Sequence, residues 1–278
     1  VQCVADVYWG KNSSVTTKLE MFYLPDKYYG IGNQDKNKAL AEFDFHRYLL
    51  TSDLEIGISD KIWRAGLSLD VSYHDFSSFQ GDSLVALPEI QQSERWSNGI
   101  GVVLALDSRN DVLNPTKGWY LKIKTMGYLK VLGSNDDFAS VTLDGRYYAS
   151  LTDNIILANQ IYWSGIWGEA PFHKLSTCGG TRLGRTIPHP HKYIDNFAWL
   201  VQSEVRFPIY WRIGATSFVA AGNVSHELIE KAFDKTHFMV GAGLRFKVFP
   251  QQGLNIRLDA GLDSRGEHAF YLNIREAF

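Results

Sequence analysis

"DSRNDVLNPTKGWYLKIK", residues 107–124, governs how the rest of the chain is read. It opens as a polar turn around Pro115, then sets Trp119, Leu121 and Ile123 in alternation with Tyr120, Lys122 and Lys124. A period of two is a strand, with successive side chains on opposite faces. If the apolar face meets a protein core, the strand belongs to a soluble sandwich. If it meets lipid, the face with the two lysines lines a wet lumen.

The same alternation recurs along the chain. "FASVTLDGRYYASL" places Ala139, Val141, Leu143, Gly145, Tyr147 and Ala149 against Ser140, Thr142, Asp144, Arg146 and Tyr148. "HFMVGAGLRFKV" sets Val240, Ala242, Leu244, Phe246 and Val248 against Gly241, Gly243, Arg245 and Lys247. "GLNIRLDAGL" sets Leu254, Ile256, Leu258 and Ala260 against Asn255, Arg257 and Asp259. Strands are expected at 1–9, 15–29, 38–58 (with a phase slip at Thr51 to Leu54), 62–76, 97–106, 117–129, 137–151, 153–166, 195–207, 210–221, 236–248, 252–262 and 268–278.

Connection lengths separate the two architectures. Mostly short links such as "GKNSS", "SDK", "LTDN" and "FPQQG" alternate with long ones such as "GIGNQDKNK", "SSFQGDSLVALPEIQQSERWS", 167–194 and "GNVSHELIEKAFDKTH". Short turns at one end and long loops at the other mark an outer-membrane barrel, and a Greek-key sandwich would scramble that order. The expected fold is an all-β, closed antiparallel transmembrane β-barrel, a single domain over 1–278 with one long loop folded into the lumen. Thirteen strands are legible and bacterial single-chain barrels are even-numbered. Fourteen are therefore expected, one of them upstream of "VQCVADVYWG", which reads as mid-strand; twelve and sixteen are the alternatives.

Composition fits. Aromatics make up 14% of the 278 residues, an excess that aromatic girdles supply and that carbohydrate-binding β proteins share. A net charge of −2 carries no basic stripe for nucleic acid. No run of 18 apolar residues exists, so no transmembrane helix is expected. Two cysteines, Cys3 and Cys178, are too few for a disulfide framework.

Four motifs in order now carry a resemblance. "LDSRNDVLNPTKGWYLKIK" resembles the D-x-R-(N/D)-x-x-x-P-x-x-G-W signature of the BamA/TamA/Sam superfamily, the bacterial surface antigen family. "SEVRFPIYWRIGATSFVAAGNV" resembles its E-x-R-F-P strand and following F-x-x-x-G strand, and "LPDKYYGIGN" is similar to a segment of its short Bacteroidetes-like members. "HAFYLNIREAF" ends in Phe278, like the family's C-terminal strand. In the turn motif, Asp107 and Arg109 are expected to pair while Pro115 and Gly118 shape the turn. In the last strand, Phe270, Leu272, Ile274 and Phe278 share a face interrupted by Glu276, similar to the signal by which assembly machinery recognises its clients.

The resemblance also implies a loop folded back into the barrel, with a (V/I/L)-R-G-(F/Y) tip whose arginine binds acids on the wall. Here "GGTRLGRTIPHPHKYIDN" carries Leu183, Gly184 and Arg185 in swapped order. Arg185, and after it Arg182, is the candidate arginine, with Asp259 and Glu204 as lumenal acids. A guanidinium there calls for a planar acidic partner. The family's acid two residues after Phe218 is Ala220 in this chain.

Other features read as structural. His189 and His191 lie two apart on a proline-rich loop, and no metal or cofactor is expected. "WSNG", Trp96 to Gly99, has Arg95 where a phospholipase of that type needs a histidine; no G-x-S-x-G elbow exists, so no enzyme is expected. Gly241 and Gly243 lie on a strand and are expected to clear space for the folded-in loop.

The resemblance implies work in outer-membrane protein assembly or polypeptide translocation, with the lipid bilayer, unfolded outer-membrane proteins and periplasmic or lipoprotein components as partners. The alternatives are a barrel anchoring an upstream enzyme domain (a patatin-type phospholipase or phosphoesterase) and a plugged pore.

Overall fold

A computed structural model describes residues 2–9, 13–34, 39–59, 62–80, 94–249, 253–274 and 276–278. The strands are β1 (Gln2–Trp9), β2 (Ser13–Tyr28), β3 (Ala41–Ser59), β4 (Trp63–Gln80), β5 (Glu94–Asp107), β6 (Gly118–Tyr128), β7 (Phe138–Ser150) and β8 (Ile156–Gly168). After a two-stranded ribbon, β9 (Ser176–Thr177) with β10 (Ile194–Asp195), come β11 (Phe197–Tyr210), β12 (Ile213–Ser225), β13 (His237–Phe249), β14 (Leu254–Asp263) and β15 (His268–Ile274). Among the described residues, all strands but the ribbon form one antiparallel sheet of thirteen, each paired with the next along the chain. These are the thirteen strands legible in the sequence.

The sheet curls around a lumen. Val4, Asp6 and Tyr8 of the first strand line the same cavity as Asn273 and Ile274 of the last. Burial is inverted relative to a soluble protein. Leu67, Ile100, Val102, Val201, Val219, Leu244 and Phe270 are exposed, while Arg95, Gln160, Glu204, Arg245, Arg257 and Asp259 are buried. Charged side chains almost never sit inside a soluble core without pairing, and an apolar outer band is what lipid requires.

The β6 strand shows the logic locally. Trp119 is 57% exposed on the outer face. On the inner face, Lys122 Nζ reaches Asp53 at 2.7 Å and Glu55 at 2.8 Å, and Lys124 Nζ reaches Asp53 at 2.6 Å. Ala242, Leu244, Ile256 and Leu258 are exposed on the same outer surface.

Three sequence expectations are corrected. The phase slip at Thr51 to Leu54 is absent: β2–β3 and β3–β4 pairing runs unbroken through it. The apparent slip arises because Leu49 falls on the face of Arg47, Asp53 and Glu55, and Ser52 on the outer one. On β13 a bulge between Lys247 and Phe249 breaks the alternation, so Phe249 takes the exposed position expected of Val248. Finally, β15 ends at Ile274, and Phe278 does not share the outer face of Phe270, Leu272 and Ile274; it is 4% exposed and lies inside. Glu276 on an outer strand face would leave an unpaired carboxylate in lipid, which is costly. The segment turns inward instead. The loop over 81–93 lies outside the described residues.

The apolar core sits in the lumen towards the long-loop end, where residues 169–196 pack onto the wall. Phe172 and Ile194 join Tyr28, Phe43 and Phe76. Cys178, Ile187 and Tyr193 join Leu200, Val224 and Met239. Cys178 is thus buried and Cys3 exposed, both as free thiols.

Candidate functional site

The folded-in loop is held by its own backbone before it meets the wall. Gly180 N–H donates to Ile187 O at 3.0 Å and Ile187 N–H to Gly184 O at 2.9 Å, closing a hairpin whose tip carries Arg182 to Arg185. Gly184 sits at φ +124°, open to glycine alone in practice. The wall then grips the tip's backbone. Arg257 Nη2 donates to Thr181 O at 2.7 Å, Gln202 Nε2 to Arg182 O at 3.1 Å and Tyr271 Oη to Ile187 O at 2.8 Å.

Arg185, 2% exposed, enters the centre of a charged cluster. Its Nη1 lies 2.6 Å from Glu204 Oε2 and 3.4 Å from Asp259 Oδ2, and its Nη2 lies 3.4 Å from Gln202 Oε1. The guanidinium carbon sits 3.7 Å from the centroid of the Phe218 ring, so the cation is also faced by π density. Glu204 takes a second bond from Arg206 Nε at 2.7 Å. Asp259 takes Arg245 Nη1 at 2.6 Å and Arg257 Nη1 at 2.8 Å. Glu276 receives Arg245 Nε at 2.8 Å and Asn255 Nδ2 at 2.7 Å. Four guanidinium groups therefore meet three carboxylates.

Glu204 and Asp259 together hold Arg185. Arg182 turns away, its Nε donating to Ala277 O at 3.2 Å. In the β11–β12 register Glu204 lies opposite Phe218, and Gln202 opposite Ala220. The expectation for Gly241 and Gly243 is corrected. A Cβ at Gly241 would lie 2.2 Å from the Phe218 ring, and one at Gly243 2.2 Å from Asp259 Oδ1. These glycines make room for the cluster on the wall rather than for the loop. Arg206, Arg245 and Glu276 were not expected as members of the cluster around Arg185; their signal was an inward charge on each strand, and for Glu276 the break it makes in an apolar face.

The turn after β5 belongs to the same compartment. Arg109 makes a bidentate pair with Asp107, both bonds 2.8 Å, and stacks 4.4 Å over Tyr120. Asn110 Oδ1 accepts the Thr116 and Lys117 N–H groups at 3.0 Å, and Asp111 Oδ1 those of Leu113 and Asn114 at 2.7 Å. Pro115 is buried, and Gly118 has φ +110° with Ser108 O where a Cβ would go. The turn reaches Gly253 of the β13–β14 turn, six strands away, so it crosses the mouth of the lumen. Between it and the loop tip lies a cavity of about 490 Å³, lined by Arg64, Lys122, Arg146, Arg182 and Arg257 among others.

At the other end, His189 packs 5.7 Å from Tyr29 between ring centroids, and His191 lines a small recess with His74 and His173. Among the described residues no set of three His, Cys, Asp or Glu side chains is arranged to hold a metal ion. The lumen can grip a loop, and most cations of the cavity between the turn and the loop tip are already paired with acids: Arg64 with Glu55 and Asp107, Lys122 with Asp53 and Glu55, Arg146 with Asp144 and Arg257 with Asp259.

A family model for the Omp85 superfamily domain matches residues 5–274. No curated protein sequence matches the chain. Among solved structures, BamA from Haemophilus ducreyi lacking POTRA domains 1–3 is similar with a TM-score of 0.65 at 14% identity, covering 95% of this chain and 58% of that one. CdiB from Escherichia coli is similar with a TM-score of 0.60 at 12% identity, covering 95% and 49%. The chain thus spans about half the length of these neighbours, and at such identities the likeness is one of fold.

Proposed function

The chain belongs to the Omp85 superfamily, and from that premise we propose that it is an outer-membrane barrel that assists insertion or translocation of polypeptide. The carrying observation is a long loop folded into the lumen and held on its wall, through Arg185 on Glu204 and through the loop backbone on Arg257, Gln202 and Tyr271. A plugged lumen does not favour a passive pore. The bilayer and an unfolded outer-membrane protein are then its partners. The test is reconstitution into vesicles of a small urea-unfolded outer-membrane protein with and without this chain. Faster acquisition of the heat-modifiable folded band, without ion conductance, is the expected result. Conductance with no acceleration would return the pore reading.

A further inference from the structure

We infer that the β12–β13 connection, residues 226–236, anchors the barrel at the lipid surface, with Leu228, Ile229 and Phe233 seated in the headgroup layer of the long-loop leaflet. This surface lies outside the lumen and plays no part in the proposed handling of polypeptide.

The loop folds over the outside of the wall. On β11, Gln202, Glu204 and Arg206 are buried towards the lumen, so alternation sends Trp199 and Val201 to the outer face. Asn223 of β12 lies opposite Trp199 in the register and shares that face. Both side chains hold the loop. Trp199 Nε1 donates to Ala232 O at 2.7 Å, and Asn223 Nδ2 donates to Ala232 O at 2.9 Å and Asp234 O at 2.8 Å. The Phe233 ring then packs on Trp199, 5.2 Å between centroids. Trp199 is two residues inside the start of β11, so the loop reaches roughly 7 Å down the outer wall from the strand end.

The two sides of the loop differ. Glu227, Glu230, Lys231 and Asp234 line a cavity of about 630 Å³ with Asn33 and Asp195. Among the described residues Leu228, Ile229 and Phe233 are not part of that lining; Ile229 is 79% and Phe233 74% exposed. They extend the lipid-facing surface, where Val201, Val219, Phe238 and Leu262 are exposed on the adjoining strands. An apolar patch continuous with a lipid-facing wall has lipid as its occupant.

The backbone agrees. Every carbonyl from 231 to 235 accepts a hydrogen bond inside the protein: in turn from Asp234 N–H, from Trp199 and Asn223, from Thr236 Oγ1, from Asn223 and from Asn33 Nδ2. Water would satisfy such groups on a solvated loop, whereas the drier part of the interface demands partners from the protein. Charge is not the attraction. Glu227, Glu230 and Asp234 stand against Lys231 and Lys235, so with its histidine neutral the loop carries −1 and gains nothing from an anionic surface. Apolar burial is what holds it.

The test places an NBD fluorophore on single cysteines in a Cys3→Ser chain, with one barrel per phosphatidylcholine nanodisc and Cys178 left buried. Ile229→Cys is the main site, because a label on so exposed a side chain displaces nothing from the fold. Phe233→Cys is the second site and Glu230→Cys the reference, each checked for the folded band on cold SDS gels. Quenching by iodide should be several-fold lower at 229 and 233 than at 230. An interfacial segment sits about 5–10 Å into the headgroup and acyl boundary. Lipid bearing a nitroxide at carbon 5 should therefore quench both labels more than lipid bearing it at carbon 12. With one barrel per disc, a second copy cannot supply the shielding. Iodide quenching at 229 equal to that at 230, or no quenching by either nitroxide lipid, would overturn the anchor; so would stronger quenching from carbon 12.

Discussion

Glu204 is fully buried and faces three arginines: Arg185 and Arg206 by hydrogen bond, and Arg245 at 3.6 Å. The count of charges makes the two sides of this clamp unequal. Arg185→Ala leaves three guanidinium groups against three carboxylates, so the wall stays compensated. Glu204→Gln leaves four against two. Breaking a buried ion pair from the side that strands charge costs about 3–5 kcal/mol. We expect that cost for Glu204→Gln and about 1–3 kcal/mol for Arg185→Ala, chiefly lost hydrogen bonds to charged groups. Urea unfolding in lipid vesicles, read as the shift in midpoint at unchanged slope, orders the two; an Arg185→Ala loss as large as that of Glu204→Gln contradicts the charge count. Arg185→Lys should not restore the clamp, because an ammonium cannot span Glu204, Asp259 and Gln202 at once. At Gly118, φ is +110° and a Cβ would stand 2.4 Å from Ser108 O. Gly118→Ala should cost about 1–3 kcal/mol in the same assay, and leave protease access to 169–196 unchanged.

At the scale of the element, the folded-in loop has two attachments of different chemistry. Its tip is ionic. Its base is aromatic, where His173 lies 3.9 Å from His74 between ring centroids and neither His173 nitrogen has a partner among the described residues. Burial pushes the His173 imidazole well below its ordinary value, and His74 and Lys174 beside it push the same way. His191, Arg47, Arg95 and Asp26 border the same place, with Asp70 held on Lys174. A depressed imidazole binds fewer protons folded than unfolded. Its contribution is therefore complete above the unfolded value of about 6.5 and is lost as pH falls below it. Limited proteolysis within 169–196 should be slow at pH 7.5 and faster at pH 5.5. His173→Phe keeps the ring without the proton and should flatten the difference; a pH dependence that survives it would place the sensor elsewhere.

For the whole molecule, the decisive quantity is which face meets lipid. Leu143 lies near the middle of β7 on the outer face, and Thr142 beside it points inward between Lys124 and Ser164 on the paired strands. A basic residue at the bilayer midplane on the lipid face costs roughly 2–4 kcal/mol. Leu143→Arg should thus lower the yield of folded protein in vesicles far more than Thr142→Arg, scored by heat modifiability. Equal yields would mean that the sheet is not turned as described.

The strands and their facing were legible in the sequence because alternation is a local property: neighbouring residues on a strand point oppositely whatever surrounds them. Asp107 and Arg109 were legible as a pair for the same reason, being two residues apart. What lay far apart was only partly so. Arg185 could be named because the resemblance implies an arginine at the loop tip, and Glu204 and Asp259 because alternation turns them inward, where a cation needs an acid. That both acids share it, and that Arg206, Arg245 and Arg257 compete for them, depends on sheet curvature, which no periodicity encodes. The inward turn of Phe278 was misread because Phe270, Leu272 and Ile274 set a phase that local reasoning extends. Only the lumen offers Glu276 two donors that lipid lacks, from Arg245 and Asn255. Sequence determined which side chains alternate; tertiary structure decided which charges meet, because pairing across a barrel is a matter of distance through the lumen and not along the chain.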